Sequence, residues 1–478
     1  MDLSRIKKQD WLITVAIFLL LLVGLVVIYS STFNAKTAVE GAGTINRQLI
    51  FVILGFFIYF VIMCIDPVFY RYFPIQVLIF VIIVGLLLYV LVFGDPIRNT
   101  NRWIEWGFIR IQPSEYAKVA LILLNSSVLM KLFKEKTNPE VNWVGKKKPL
   151  NPKDKLKRIS NSRPEIITYV LASGITLLCI VLIFRQPALG NALITGMICL
   201  SLFLVSFPHQ KLLSGILVTY FLSINVIAGI VNFNFLYDRF DFSLFVNGFD
   251  LGIIIFSISF VVFLVFLLRL KIIPIILAAI VGVVSVLSFT YMWDNVLKDY
   301  QRQRVEVFFN PEEDPTDAGW QLRQSKIAIG SGRFFGKGFL QGSQSKLRYL
   351  PEAYSDFVFA AFCEEFGLVG ALFIFSVYAF LIFRIIMISR RANSPYESLI
   401  CFGVAFMLLI HVFINVGMNM GMFPITGIPL PLISYGGSSI MITMSALGLV
   451  QTVNNYRDSV DMQESLMTKD VFVSNGLI

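Results

Sequence analysis

Asp356 is the residue of this chain best placed to do chemistry. It stands in Leu350-Pro-Glu-Ala-Tyr-Ser-Asp-Phe357, at the mouth of a long apolar segment, with Glu364 and Glu365 two helical turns further in. Hydrocarbon cannot solvate an ionised carboxylate, so one held at a membrane boundary reads as functional by default. Asp356 is suited to accept a proton as a general base. It is equally suited to cap the helix that begins near Phe357. A second constellation is Gln112-Pro-Ser-Glu115 with Lys118. Pro113 opens a helix and Glu115 suits its positive end. Lys118, three residues on, shares that face. An ion pair at membrane depth marks a cavity or path more often than it adds stability.

Basic residues crowd the segment before Asp356: Lys298, Arg302, Arg304, Arg323, Lys326, Arg333, Lys337, Lys346 and Arg348. Long loops cross membranes largely regardless of charge, so this is either a tolerated basic loop or an anion site. The run Ile329-Gly-Ser-Gly-Arg-Phe-Phe-Gly-Lys-Gly338 favours the anion site, because glycines let backbone amides approach phosphate oxygens. It lacks the Gly-Lys-Ser/Thr signature of a P-loop. The loop at 94–115 adds Arg102, with Trp103 and Trp106 also suited to interfacial anchoring. Between Asn415 and Ser439, prolines and paired glycines forbid a continuous helix. Such backbone is tolerated at membrane depth only when buried in protein or lining a cavity.

The elements that must position these groups are transmembrane helices. Of 478 residues, 56% are hydrophobic and 15% charged, against about 25% charged in soluble domains. A spanning helix needs about 20 apolar residues. Twelve segments qualify: 11–31, 49–65, 74–93, 116–133, 166–184, 188–207, 212–232, 251–269, 272–292, 357–383, 398–418 and 437–453. The first follows Arg5, Lys7 and Lys8 without a small-residue cleavage site, and reads as an anchor. The basic loop 134–165, with Lys146-Lys147-Lys148, is expected in the cytoplasm. Alternation then puts both termini and the tail 454–478 inside, and the loops 233–250 and 293–356 outside. Cys64, Cys179, Cys199, Cys363 and Cys401 have neither disulfide nor metal spacing, and His209 and His411 are too few for a zinc motif. The fold class is an all-α polytopic membrane protein of about 12 helices, forming one domain over 1–478 with a long extracytoplasmic loop before the tenth span.

Several stretches together resemble the SEDS family (shape, elongation, division and sporulation), the polytopic polymerases of bacterial cell walls. They are Arg102-Trp103, Gln112-Pro-Ser-Glu115 with Lys118, Tyr300-Gln-Arg-Gln-Arg304, Gln324-Ser-Lys-Ile-Ala-Ile-Gly330 and Gly336-Lys-Gly338. Leu350-Pro-Glu352, Ser355-Asp-Phe357, Glu364-Glu365, Gly427-Ile-Pro-Leu-Pro431 and Ser434-Tyr-Gly-Gly-Ser-Ser439 follow in the family's order. The Pro424-Ile-Thr-Gly-Ile-Pro-Leu-Pro431 run is more similar to the elongation member than to the division member.

The resemblance implies a peptidoglycan glycosyltransferase that polymerises lipid II during cell elongation, by inverting transfer with release of undecaprenyl diphosphate. Asp356 matches the family's essential acid. Arg102, Trp103, Gln112, Glu115, Lys118, Arg304, Lys337, Glu364, Ser438 and Ser439 are the expected substrate and diphosphate contacts. No cofactor or resident metal is certain from it, and a divalent cation (Mg or Mn) at Asp356 is an open addition. The implied partners are lipid II, a class B penicillin-binding protein acting as transpeptidase, and other elongation-complex membrane proteins, with no nucleic acid. The implied location is the bacterial cytoplasmic (inner) membrane, with both termini cytoplasmic. Readings from other classes are a lipid II flippase and a non-catalytic scaffold for a transpeptidase.

Two departures stand out. Gln186-Pro-Ala-Leu-Gly-Asn191 replaces the family's usual Gln-Pro-Asp-Leu-Gly-Thr, so Ala188 stands where an aspartate is expected. Three hydrophobic segments within 212–292 replace one, adding an apparent helix pair to a family core of ten.

Overall fold

Long apolar runs free of internal proline become helices, and short polar or proline-bearing stretches end them. A computed structural model describes residues 9–32, 38–94, 102–106, 109–130, 162–186, 188–206, 299–309, 318–346 and 349–474. The helices are α1 (Trp11–Thr32), α2 (Ala38–Cys64), the short α3 (Pro67–Arg71), α4 (Phe73–Phe93), α5 (Pro113–Leu129), α6 (Ser162–Arg185) and α7 (Leu189–Ser206). They continue with α8 (Asp299–Phe309), α9 (Ala318–Gly332), the short α10 (Ser343–Lys346), α11 (Val358–Arg390), α12 (Pro395–Met420) and α13 (Gly437–Ser474). Among the described residues, seven helices are long and apolar enough to cross a membrane: α1, α2, α4, α6, α7, α11 and α12. The expected spans 212–232, 251–269 and 272–292, and the loop 233–250, lie outside the described residues.

Several boundaries differ from expectation for physical reasons. Helix α2 begins at Ala38 rather than 49, because Glu40, Arg47 and Gln48 interrupt the hydropathy without interrupting the helix. Helix α13 continues through the expected tail to Ser474. The all-α expectation misses a two-stranded hairpin, β1 (Ile104–Trp106) and β2 (Ile109–Ile111), antiparallel with Glu105 opposite Arg110. Ile104, Ile109 and Ile111 are β-branched residues in short strands, too few to register as a periodic signal. By internal contacts the chain divides into two compact units, Met1–Ser206 with Gln321–Ile478 and Phe207–Trp320. The described part of the second unit contains α8.

In the first unit α5 is the central helix. Every residue from Ala117 to Leu129 is buried, and α4, α6, α7, α12 and α13 pack around it. Outer helices instead show apolar side chains to their surroundings, with Phe57 66% and Phe93 70% exposed. This is the reverse of a soluble domain and suits hydrocarbon. One end of the bundle is tied by Asp10, whose backbone N–H and C=O both pair with the Gln451 carboxamide at 2.9 Å. Arg384 closes an ion pair with the Asp10 carboxylate. These bonds join α1, α11 and α13.

At the other end α11 is broken. Gly367 has φ 63° and ψ −160°, inside what is otherwise one 33-residue helix. That conformation is essentially glycine-only. The break frees backbone groups, and residues 333–338 take them up. Lys337 N–H donates to Glu364 C=O and Gly338 N–H to Glu365 C=O, both at 3.0 Å, while Leu368 and Val369 N–H donate to Arg333 and Phe334 C=O. The glycine-rich run therefore serves close backbone docking. A side chain at Gly336 would strike the Glu365 carbonyl, and one at Gly367 the Phe334 carbonyl. The amides of Lys337 and Gly338 are engaged by this backbone contact.

Gly367→Ala should therefore lower stability by at least about 1–3 kcal/mol from backbone strain alone. The helical Gly85 has open space around it, so Gly85→Ala should be neutral or stabilising by up to about 1 kcal/mol. Thermal unfolding of the two variants in detergent, side by side, checks both.

Candidate functional site

The segment carrying Asp356 is a turn, Pro351 to Phe357, that feeds α11. Ser355 N–H donates to Glu352 C=O at 3.0 Å and Phe357 N–H to the same carbonyl at 3.3 Å. Helix α11 starts at Val358 with Phe357 at the N-cap and no side-chain cap. Asp356 is thus not the helix cap, and that alternative falls away. Asn419 does part of that work: its Oδ1 accepts the Ala360 N–H at 3.2 Å.

The Asp356 main chain is held from several directions. Its carbonyl accepts from Asn415 Nδ2 at 3.0 Å and from Asn419 Nδ2 at 3.1 Å, two residues one turn apart on α12. Ser434 Oγ donates to Ser355 C=O at 2.6 Å, and Tyr435 N–H to Tyr354 C=O at 2.9 Å. The segment 421–436 that supplies Ser434 is irregular, as proline and glycine content requires, and side chains of neighbouring helices meet part of its backbone. Asn415 Nδ2 donates to Ile428 C=O at 2.7 Å, Leu430 N–H to Ser434 Oγ at 2.8 Å, and Gln48 Nε2 to Ser434 C=O at 3.3 Å. The Asp356 side chain is half-buried, with Ser355 Oγ donating to Oδ1 at 3.1 Å. A rigid main chain thus presents a carboxylate with access to its surroundings.

Glu364 has a different environment. Its side chain is fully buried, and Oε1 accepts from Lys337 Nζ at 2.6 Å, Ser343 N–H at 2.8 Å, Ser343 Oγ at 2.9 Å and Gln344 N–H at 3.1 Å. Gln344 C=O in turn accepts the amides of Tyr349 and Leu350. Glu364 and Lys337 were expected at the substrate; in the structure they hold each other and the chain that leads to Asp356. Glu365, also buried, accepts from Ser30 Oγ of α1.

Glu115 and Lys118 form the expected pair on the first turns of α5, at 2.8 Å and almost wholly buried. The sequence did not reveal its third member. Lys118 Nζ lies 2.9 Å from His411 Nε2, and His411 Nδ1 lies 2.6 Å from Met407 C=O. A carbonyl can only accept, so Nδ1 carries the proton and Nε2 accepts from Lys118. Asn191 Nδ2 donates to Ser114 Oγ at 3.0 Å beside this pair. Ala188 directly precedes α7, its carbonyl accepting Ala192 N–H at 3.0 Å, and it packs with Ile83, Leu87, Cys179 and Ile183. It occupies the N-cap position, where an aspartate would bond first-turn amides.

Other expected residues of the first unit lie at this end. Ser438 Oγ donates to Arg110 C=O at 2.8 Å and accepts Gln112 N–H at 3.1 Å, joining the start of α13 to the start of α5. Ser439 is buried on the next position of α13, and Arg102 and Trp103 are half-buried just before β1. Arg304 lies on α8, in the second unit. Among the described residues no three His, Cys, Asp or Glu side chains gather into a metal-binding group. Asn415 and Asn419 are the residues that sequence reading missed. Their signal was present, as polar residues four apart in an otherwise apolar helix.

The whole length of the chain has known counterparts. Residues 10–247 and 240–459 match the cell cycle protein family FtsW/RodA/SpoVE. Peptidoglycan glycosyltransferase RodA of Treponema pallidum is 32% identical over 460 residues, covering 95% of this chain and 99% of that protein. Peptidoglycan glycosyltransferase MrdB of Escherichia coli K12 is 30% identical over 439 residues, 92% and 93% of the two chains. A probable peptidoglycan glycosyltransferase FtsW of Trichlorobacter lovleyi is 26% identical over 453 residues, 94% of each. Two solved structures share the fold. One is a chain from a peptidoglycan synthase complex that coordinates polymerization and crosslinking, with TM-score 0.60 and 23% identity over 94% of this chain and 98% of that one. The other is the rod shape determining protein RodA of Thermus thermophilus, with TM-score 0.53 and 20% identity over 94% and 97%.

Removing one partner of a buried ion pair strands the other charge, at about 3–5 kcal/mol. Lys118→Met should destabilise by that order, and adding Glu115→Gln should recover a large part of the loss. A double-mutant cycle on thermal unfolding in detergent measures the recovery.

Proposed function

The chain belongs to the FtsW/RodA/SpoVE family of cell cycle proteins, a family of multi-pass membrane proteins, and on that premise we propose that Asp356 is the general base of a peptidoglycan glycosyltransferase. The enzyme polymerises lipid II, and its similarity to RodA and MrdB places it with the elongation polymerases. The observation that supports the assignment to Asp356 is the contrast among carboxylates at one end of the bundle. Glu115 and Glu364 are buried and closed by cations, whereas Asp356 is half-buried on a clamped main chain.

In the proposed reaction a sugar hydroxyl attacks the anomeric carbon of lipid II. Asp356 accepts the hydroxyl proton as the new bond forms, and the bond to undecaprenyl diphosphate breaks. The diphosphate is already a good leaving group, so no strong general acid is required. An α-linked donor and β-linked product mean inversion by direct displacement. Oriented cations stabilise charge developing on a departing group. Arg102 and Lys337 are the proposed cations, the Lys337 ammonium keeping one donor beyond those to Ser343 and Glu364. A divalent cation, Mg or Mn, would be held by one carboxylate, Asp356, together with the diphosphate oxygens of the substrate, and would add charge stabilisation for the leaving group.

The orientation proposed has both termini in the cytoplasm of the bacterial inner membrane and Asp356 at the outer face. A crosslinking enzyme, a class B penicillin-binding protein, is the proposed partner, in keeping with the synthase complex that shares the fold. A flippase reading has one observation in its favour: Asn125, Ser126 and Ser127 continue the buried polar face of α5 past Lys118. Yet Glu115, Lys118 and His411 are each at most 4% exposed, which leaves them closed around each other rather than along an open path.

Purified protein given lipid II, with its transpeptidase partner, should form glycan chains, and Asp356→Asn should abolish them. Normal polymerisation by Asp356→Asn, with loss of lipid II movement in proteoliposomes, would overturn the reading. Ala188→Asp should leave turnover unchanged, since Ala188 occupies a helix N-cap within an apolar cluster.

A further inference from the structure

A general base must be aimed as well as ionised. Asp356 lies on a turn, outside any helix ladder, so nothing in regular secondary structure fixes its direction. Asn415 and Asn419, both fully buried, each direct an Nδ2–H at the Asp356 carbonyl, at 3.0 and 3.1 Å. Each carboxamide is held in turn by other bonds. Asn415 Nδ2 also donates to Ile428 C=O at 2.7 Å, and Asn419 Nδ2 to Asn415 C=O at 2.8 Å. Asn419 Oδ1 accepts Ala360 N–H at 3.2 Å, and Ser325 Oγ donates to Asn419 C=O at 2.8 Å. The pair therefore meets the turn, the start of α11, the irregular 421–436 segment and α9 at one point.

We propose that Asn415 and Asn419 are positioning residues for Asp356: their paired amide donors on its carbonyl set the direction in which its carboxylate meets the acceptor hydroxyl. This rests on the reading of Asp356 as the base. Two donors from successive turns of one helix restrain the peptide plane that a single bond would let rotate. The adjacent Cα carries the carboxylate, so rotation of that plane swings the base. Misplacement by about 1 Å is worth about 10²-fold in rate, with substrate binding little affected. The carboxamide is needed specifically. A carboxylate offers no donor, and opposite the Asp356 carbonyl it would repel rather than hold.

Asn419→Asp separates the two jobs of that side chain. It keeps an acceptor for Ala360 N–H, and with it the start of α11, but loses the donors to Asp356. Polymerisation of lipid II is followed at varied substrate for wild type, Asp356→Asn, Asn415→Ala, Asn419→Ala and Asn419→Asp, with rates normalised to the monodisperse fraction. The expected result is kcat lowered about 10²-fold in Asn419→Asp, with KM for lipid II unchanged and the protein still monodisperse. Asn415→Ala should behave in the same direction, and Asn419→Ala should lose both kcat and thermal stability. Wild-type kcat in Asn419→Asp, or a rise in KM with kcat unchanged, overturns the positioning role while leaving Asp356 as the base. If wild type forms no glycan and matches Asp356→Asn, the proposed function fails first and this inference with it.

Discussion

An unpaired backbone amide or carbonyl in an apolar interior costs several kcal/mol, and the Asp356 end of the bundle is organised around meeting that cost. Two irregular segments lie there, 333–357 and 421–436, where helices could have satisfied themselves. Many of their backbone groups find specific partners. The helix break at Gly367 exposes carbonyls that the amides of Lys337 and Gly338 cover. Buried side chains Gln48, Glu364, Asn415, Asn419 and Ser434 supply the remaining bonds. These polar residues are structural in the strict sense that they let non-helical backbone exist at depth.

That same arrangement sorts the charges. A carboxylate that must be buried is matched by a cation and several donors, as with Glu364 and Lys337 or Glu115 and Lys118. Charge assistance makes these bonds strong. Asp356 receives a hydroxyl on one oxygen and stays half-buried. The clamped main chain sets where that half-buried carboxylate lies.

The glycine-rich run 329–338 shows where reading from sequence misdirects. Glycines signal close approach by something, and phosphate was the natural candidate beside so many basic residues. The structure brings another backbone instead, because α11 breaks at the same depth and its exposed groups need partners. Gly367, the residue responsible, sits inside a strongly apolar run where a single glycine carries no distinctive signal. The β1–β2 hairpin was missed for a related reason: three residues per strand are too few to establish alternation.

Local sequence was enough for the membrane-spanning character, for helices α1, α2, α4 to α7, α11 and α12 to within a few turns, for the start of α13, for the outlying Asp356 and for the family. Those properties follow from local composition, helical period and ordered motifs. Tertiary structure alone decided who pairs with whom. Lys337 meets Glu364 from 27 residues away, Asn415 reaches Asp356 across 59, and His411 reaches Lys118 across 293. Partners so distant share no period or spacing that a single chain could display. Their pairing depends on which helix faces pack together, and in a bundle whose outer surface is as apolar as its core, hydropathy does not say which faces those are.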